Sequence, residues 1–539
     1  MTDDAQQIVT FDFETDPFLN GRIPQPFCIG FWDGDKDEPY LWEWGTAEDC
    51  VDFFFNVIEA YGPDYIFFAH NGGKFDLHFI LPYADTITDV IMIGARIVQA
   101  RINGVMIRDS YALIPVGLGK YQKDEIDYAK MEADVREEHK TEIIAYLKTD
   151  CRALYELVTG FISEFGLSLT MASAAMQQLE TFHEYNKMQG DNWDARLRQF
   201  YYGGRVGYFE QGNLTGDFKV YDVNSMYPSV MKDYEHPISS TLECIVGKAA
   251  CNDRIIAKGD FFELNATSEG AFPWRCPDGG GLTFPHGRKD FKITGHELRT
   301  AIELGCVQIH TIKRAWISPD KTNFTAFVEH FYNARQEAKK IDPKGMHQLF
   351  YKLVLNSAYG KFAQDPSKFK DFLILTNDEM PDEDGWLLCC PRSGNGVGIY
   401  ERKSVLPEYL GRKNVATAAS ITGAARARLL EGLRNATRAV YCDTDSVICE
   451  SMANVPMHPS DLGAWDCEAT GDRLSVVGRK TYALWKDGKC VKKASKGVRA
   501  EAEEIDRAAL GEIIELSNEA PTFSLKKAPH FISRKIRMT

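Results

Sequence analysis

At 539 residues the chain is too long for one hydrophobic core and points to three or four domains. Its 44% hydrophobic and 26% charged residues suit a globular protein in water: no apolar run is long enough for a bilayer, the acidic start Met1-Thr2-Asp3-Asp4 is unlike a signal peptide, and thirteen cysteines without a Cys-x-x-Cys pair exclude a zinc ribbon or disulfide framework and fit reduced thiols in a cytoplasm. The net charge of −15 is uneven, with 28 acidic against 12 basic residues in 1–150 and 13 basic against 8 acidic from 480 onward, so a polyanionic partner is not excluded.

Ile8 to Thr15 alternates apolar and polar residues, which predicts a half-buried strand with Asp12 and Glu14 on one face, able to share a metal. An acidic solvated face is the other reading. Asp64 to Ala69 predicts a second strand, running into His70-Asn71-Gly72-Gly73-Lys74-Phe75-Asp76. There the glycine pair allows a bend that anchors Phe75 in a core and presents Asp76. The apolar spacing of Ile143, Ile144, Leu147, Leu154, Leu157 and Val158 predicts a helix over 141–158, with Tyr146 and Asp150 sharing a face.

Four acids on two strands and a helix, with a tyrosine one turn before the last, resemble the three motifs of DEDD-type 3′–5′ exonucleases, tyrosine subtype. That resemblance implies two-metal phosphodiester hydrolysis, with Asp12, Glu14, Asp76 and Asp150 holding the ions and Tyr146 positioning the attacking water. It also implies a lysine motif at Lys123, with Asn71, Phe75 and Ser110 as strand contacts. Tyr111 stands where a leucine is expected after Ser110.

Phe200-Tyr201-Tyr202-Gly203-Gly204-Arg205 places two glycines beside aromatic rings, as a close approach to a nucleic-acid strand requires; a hinge or a bulge fits equally. Phe218 to Asp222 predicts a strand whose end presents Asp222, with the backbone from Val223 as a cradle for a metal and a triphosphate. Residues 323–360 predict an antiparallel helical hairpin broken at Ile341-Asp342-Pro343 and capped at Gly360. Along its second helix Lys352, Asn356 and Tyr359 make one stripe, either a nucleotide-reading face or a mixed surface with Tyr359 in a core. Tyr441-Cys442-Asp443-Thr444-Asp445-Ser446 predicts a strand–turn–strand hairpin whose paired acids call for a positive neighbour, a divalent cation being the simplest; an Asp-rich turn is the plainer reading.

In chain order, Tyr201-x-Gly203-Gly204, Asp222-x-x-Ser225-Met226-Tyr227-Pro228, Lys352-x-x-x-Asn356-Ser357-x-Tyr359-Gly360, Tyr441-x-Asp443-Thr444-Asp445-Ser446 and Arg479-Lys480-Thr481-Tyr482 resemble the motifs of family B DNA polymerases. The compact chain is most similar to the protein-primed, small-phage branch. The resemblance implies an α/β and α+β multidomain fold: an RNase H-like exonuclease plus a right-hand polymerase with palm, fingers and a small thumb. The expected divisions are exonuclease 1–168, palm 169–233 and 414–497, fingers 323–362, thumb 498–539, and two terminal-protein-region insertions at 234–322 and 363–413.

It further implies two Mg²⁺ per site, with Mn²⁺ as a substitute. Asp222, Asp445 and Val223 are metal ligands, Asp443 lies beside them, and Val223, Lys352, Asn356, Tyr359, Lys340 and Tyr227 serve the nucleotide. Tyr201, Gly203, Gly204, Lys480 and Tyr482 serve the DNA. Expected partners are template and primer DNA, dNTPs, a terminal priming protein and a single-stranded-DNA-binding protein, for a monomer in a host cytoplasm with no membrane contact. Rival readings are a polymerase using nucleic-acid primers, a stand-alone exonuclease with a DNA-binding C-terminal half, and a metal-free scaffold.

Overall fold

The computed structural model describes residues 7–18, 22–34, 40–120, 126–187, 191–277, 279, 281–365, 368–376, 379–389, 397–404, 412–497, 499–524 and 527–538. Strands β1 (Gln7–Thr15), β2 (Pro26–Trp32), β3 (Leu41–Trp44), β4 (Tyr65–Ala69), β5 (Ile87–Ile93), β6 (Arg96–Ile102) and β7 (Val105–Asp109) form one sheet in the order β3-β2-β1-β4-β7-β6-β5. The pairs β1–β4 and β4–β7 are parallel and the others antiparallel. Both faces of β1 are covered. Val9, Phe11 and Phe13 pack with Phe54 of helix α1 (Ala47–Tyr61). On the opposite face the Thr10 hydroxyl donates to the Cys151 carbonyl at 2.7 Å, which docks helix α2 (Lys140–Phe165) there. Since side chains alternate along a strand, Asp12 and Glu14 share the face that meets α2. The helix runs past the predicted end at 158 for almost two further turns, because Phe161 and Phe165 keep its apolar stripe going.

Helices α3 (Met171–Phe182) and α4 (Asp191–Arg198) lead to β8 (Val206–Tyr208) and β9 (Gly212–Val223), and then to α5 (Met226–Asp233). Next comes an antiparallel sheet of β10 (Glu243–Val246), β11 (Phe261–Glu269), β12 (His286–Thr294) and β13 (Val307–Ile317), ordered β10-β13-β11-β12. Its core, around Phe262, Phe272, Phe291 and Ile293, is closed by Leu298 and Ala301 of α6 (Gly295–Glu303).

The predicted helical hairpin is α7 (Thr325–Ile341) and α8 (Met346–Phe362). Gly360 does not cap it: the helix continues through Gly360, and Phe362, fully buried against Phe324, carries it one more step into the core. Phe350 of α8 packs edge-on against Phe161 of α2, with ring centroids 5.1 Å apart. Of the region expected as a second insertion, residues 390–396 and 405–411 lie outside the described residues. Its described strands β14 (Lys370–Leu375), β15 (Leu387–Leu388) and β16 (Gly398–Lys403) form a small sheet, and Ile374 and Ile399 join the core of the N-terminal sheet.

Helix α9 (Val415–Arg434) is buried along nearly its whole length and runs toward β17 (Tyr441–Asp443) and β18 (Ser446–Cys449), the two arms of the predicted hairpin. With β19 (Trp465–Gly478), β20 (Thr481–Lys486) and β21 (Lys489–Ser495) they complete a seven-stranded antiparallel sheet in the order β21-β20-β19-β9-β18-β17-β8. After α10 (Ala502–Ala509), strands β22 (Ile514–Ser524) and β23 (Lys527–Met538) pair along their length, so the basic C-terminal stretch is part of a strand. Among the described residues no helix is long and apolar enough to cross a membrane.

Candidate active sites

The first site lies between β1 and α2. Asp12 is half-buried, whereas Glu14, Tyr146 and Asp150 are buried. Burial first, then the hydrogen bond with Tyr128 and the charges of Asp150 and Glu14, push the Tyr146 pKa well up and keep it a proton donor. Asp76, presented after the glycine bend, is 1% exposed. The chain gets there through Asn71 in the left-handed region, at φ 66°, and a tight turn over Gly72–Lys74. A Cβ on Gly73 would stand 1.7 Å from the Ile97 carbonyl oxygen, so only glycine fits. Burial lifts the Asp76 carboxyl to about 7, with a contribution from the nearby Asp109 charge, against the pull of the Asp76 and Phe13 backbone N–H groups. Asp76 Oδ1 has no hydrogen-bond partner among the described residues. A buried, partnerless carboxylate oxygen beside further acids fits a divalent cation as its missing partner.

The neighbouring contacts divide the predicted strand ligands. Phe75 is half-buried, edge-on to Phe18 and Phe79 at 5.5 and 5.2 Å. Asn71 is held by Asp109, which accepts its N–H at 3.0 Å, and by Arg96, whose guanidinium donates to its amide oxygen at 2.8 Å. Asp109, paired with Arg96, also takes the Gly73 and Tyr111 N–H groups, a role the sequence did not reveal. Ser110 is fully buried, hydrogen-bonded to His70 Nδ1 at 3.0 Å and to the Ala69 carbonyl at 3.2 Å, so it offers nothing to a strand. Lys123 lies outside the described residues.

The second site is built by sheet register. Ser446 of β18 faces Asp222 of β9, which on its other side faces Asp466 of β19. The Val223 N–H donates to the Asp445 carbonyl at 2.9 Å, locking the end of β9 to the hairpin turn. That N–H is therefore taken and cannot cradle a triphosphate. Burial, aided by the Asp445, Glu468 and Asp466 charges, lifts Asp222 to about 7, with the Lys492 cation opposing. Asp445 rises to about 6, again chiefly by burial, with the charges of Asp443 and Glu468 adding. Glu468 and Asp466, two apart on β19, and Lys492, paired with Glu468, were missed; the period-2 acids were the available signal.

Among the described residues no three His, Cys, Asp or Glu side chains alone enclose an ion. The Asp222–Asp445 pair fits a divalent cation that completes its shell with substrate phosphates and water, as Mg²⁺ sites commonly do. Asp443 differs, because the Lys480 ammonium neutralises it directly. Tyr482 is buried, its ring 5.0 Å from that of Tyr441, so it stiffens the sheet rather than reaching a primer.

The stripe on α8 is real. Lys352 and Asn356 are exposed, Tyr359 is half-buried, and its ring stacks on Tyr227 with centroids 4.1 Å apart and planes at 16°. The Asn356 amide donates back to the Lys352 carbonyl at 2.7 Å. Lys340 points elsewhere, into a pair with Glu337 at 2.6 Å on an exposed surface. The cation that faces Lys352 is Lys339, whose pKa is lowered by burial and then by the Arg335 and Lys352 charges. Arg335 and Lys339 are four apart on α7, a spacing the sequence reading passed over.

The loop 201–205 crosses above the hairpin. A Cβ on Gly204 would stand 2.5 Å from the Thr444 hydroxyl oxygen, whereas one on Gly203 would meet nothing within 4 Å among the described residues. The Thr444 N–H donates to the Arg205 carbonyl at 2.7 Å.

The profile of the family described as DNA polymerase type B, organellar and viral, matches residues 120–385. The DNA-directed DNA polymerase of Enterobacteria phage PRD1 is 38% identical over 99% of this chain and 98% of its own length. The DNA polymerase of Bacillus phage B103 is 26% identical over 70% of this chain and 67% of its own. In fold the chain is similar to phi29 DNA polymerase in its orthorhombic crystal form, at a TM-score of 0.74 and 18% identity, covering 99% of this chain and all of that one.

Proposed function

Because the chain belongs to the type B DNA polymerases of phage kind, whose members couple synthesis to a 3′–5′ proofreading exonuclease and use divalent metal ions, we propose that Asp222 and Asp445 form its synthetic centre and Asp12, Glu14, Asp76 and Asp150 its editing centre. The observation that carries this reading is the lock between the Val223 N–H and the Asp445 carbonyl, which joins two carboxylates over two hundred residues apart. We take Mg²⁺ as the physiological ion. When bound, it neutralises the phosphates and lowers the pKa of the attacking hydroxyl.

The residues of the chain supply binding and orientation. Lys352, Lys339 and Arg335 face the triphosphate of the incoming dNTP. Tyr359 and Tyr227 wall the nucleotide, with the Tyr227 ring where a ribose 2′-hydroxyl would intrude. Lys480 neutralises Asp443 near the primer end. Among the described residues nothing lies within 4 Å of a Cβ placed on Gly203, which favours close approach of a template strand there. In the editing centre the buried Tyr146 hydroxyl stays protonated and donates to the attacking water. Asn71, its amide oxygen held by Arg96, turns its amide nitrogen to the strand.

We further propose a terminal protein as the priming partner and a single-stranded-DNA-binding protein as an accessory; kinship with the PRD1 polymerase supports protein priming. The rival is priming by nucleic acid alone. Primer extension on a gapped template tests the main reading: Asp445→Asn should lose nucleotide incorporation and keep exonuclease activity. Extension that survives the change would sink the assignment. A covalent dNMP adduct on a cognate priming protein separates the two modes of priming.

A further inference from the structure

The loop 201–205 belongs to no strand, and its carbonyls are held by donors from other segments. The Tyr201 carbonyl accepts from Arg275 at 2.5 Å. The Tyr202 and Gly203 carbonyls accept from one nitrogen of Arg426 at 2.7 and 3.1 Å, and the Arg205 carbonyl accepts the Thr444 N–H. Arg426, on α9, is itself buried, as is its counter-ion Glu297 on α6, and the Arg426 Nε–Glu297 Oε1 distance is 2.7 Å. The other Glu297 oxygen closes the first turn of α6 by accepting the Thr294 N–H and hydroxyl, both at 2.9 Å. The adjoining His296 adds a second link to α9, through Ser420 at 3.1 Å.

We infer that Arg426, oriented by Glu297, is a positioning residue for the polymerase: it fixes the Tyr202–Gly203 backbone over the Thr444–Asp445 turn and so sets the grip on primer–template DNA without touching it. This rests on the reading of loop 201–205 as a DNA contact. Three features carry it. One nitrogen of the guanidinium spans two successive carbonyls of a loop that lies outside any strand, which an ion pair serving core stability alone has no need to do. With the Tyr202, Gly203 and Arg205 carbonyl oxygens taken by Arg426 and the Thr444 N–H, three acceptors that would repel a phosphate are engaged within the protein. And the loop is seated against the hairpin so closely that Gly204 has no room for a side chain. The sheet β10–β13 and its helix α6, inserted between Asp222 and α7, thereby become part of the machinery that holds the polymerase centre in shape.

The test uses the full chain. Arg426→Met combined with Glu297→Gln removes both buried charges together, and the amide oxygen at 297 still accepts from Thr294, so the variant should melt near the wild-type temperature. Its Kd for a primer–template duplex should rise about tenfold or more, while the KM for dNTP and the excision rate on single-stranded DNA stay within about twofold. Arg426→Lys keeps the charge beside Glu297 but reaches at most one carbonyl, and should fall between. Gly204→Ala, which must displace Thr444 or the loop, reports on the loop independently. If Gly204→Ala weakens duplex binding and the folded double variant does not, the positioning role of Arg426 is overturned and the loop reading stands. If neither weakens it, the loop is not a DNA contact and the inference falls with that reading.

Discussion

Lys480 grips both carboxylate oxygens of Asp443, its Nζ standing 2.7 Å from one and 2.5 Å from the other, while its backbone N–H donates to the Tyr441 hydroxyl at 2.9 Å. Lys480 holds this position at a φ of 60°, in a region non-glycine residues seldom occupy. The protein thus neutralises one acid of the hairpin itself; on the proposed reading its neighbour, Asp445, is left to an outside cation.

The two acids should therefore respond differently to loss of charge. Asp445→Asn should lower single-nucleotide incorporation by roughly 10³-fold or more, and Asp443→Asn by about tenfold. Lys480→Met breaks the same pair as Asp443→Asn, so the double variant should be little worse than either alone. Rapid-quench incorporation assays measure this. An Asp443→Asn loss as deep as that of Asp445→Asn would make Asp443 a metal ligand instead.

Editing and synthesis should separate at the first site. Asp12→Ala with Asp76→Ala should reduce excision of a mispaired 3′ end by about 10³-fold, and extension of a matched primer should stay within about twofold. Gel assays on paired and mispaired primers decide it. Retained mismatch excision would remove these acids from the ligand set.

Two adjacent lysines on α7 make a sharper pair. Lys339 faces Arg335 and Lys352, whereas Lys340 pairs with Glu337 in solvent. Lys339→Ala should raise the KM for dNTP by about tenfold, and Lys340→Ala should leave it unchanged, since an exposed pair contributes little. Steady-state kinetics with varied dNTP give both numbers. The reverse ranking would return the phosphate contact to Lys340.

Asp222 and Asp445 make metal-free stability pH-dependent. Both carboxyls have pKa values raised in the folded chain, to about 7 and about 6, so between the ordinary carboxylate range and those values the folded state binds more protons than the unfolded one. Their contribution to stability is therefore greatest at low pH and declines as pH rises toward 7. In EDTA, Asp222→Asn should melt above wild type at pH 8 and lose that advantage near pH 4. With Mg²⁺ the gap should narrow, because the cation stabilises only the carboxylate form. Calorimetry at the two pH values provides the check; a pH-independent difference would mean the shift arises elsewhere.

Much of the site was legible in the chain because it depends on short-range geometry. Alternation alone put Asp12 and Glu14 on one face, the two-residue turn placed Asp445, and helical spacing aligned Lys352 with Tyr359. What the sequence hid depends on contacts between distant segments. Nothing local says that Asp76 will be sealed beneath β1, that Ser110 will turn inward to His70, or that Glu297 will find Arg426 129 residues later. Gly360 misled for a related reason. Glycine usually ends a helix, but here a buried Phe362 pays for continuing it. Lys339 and Lys340 are indistinguishable as letters, and only the roll of α7 against α8 chooses between them.

Helix α2 carries Tyr146 and Asp150 in its first half and wedges Phe161 and Phe165 against Phe350 of α8 near its other end. About 22 Å separates Asp150 from Phe165 along a continuous α-helix, too stiff to absorb a shift at either end. On the proposed assignment of the two sites, accuracy and speed are thus mounted on a common axle. A substitution at the Phe161–Phe350 contact selected for faster synthesis would drag the editing acids with it, so variants of this chain should drift along a single trade-off line rather than improve in both respects at once.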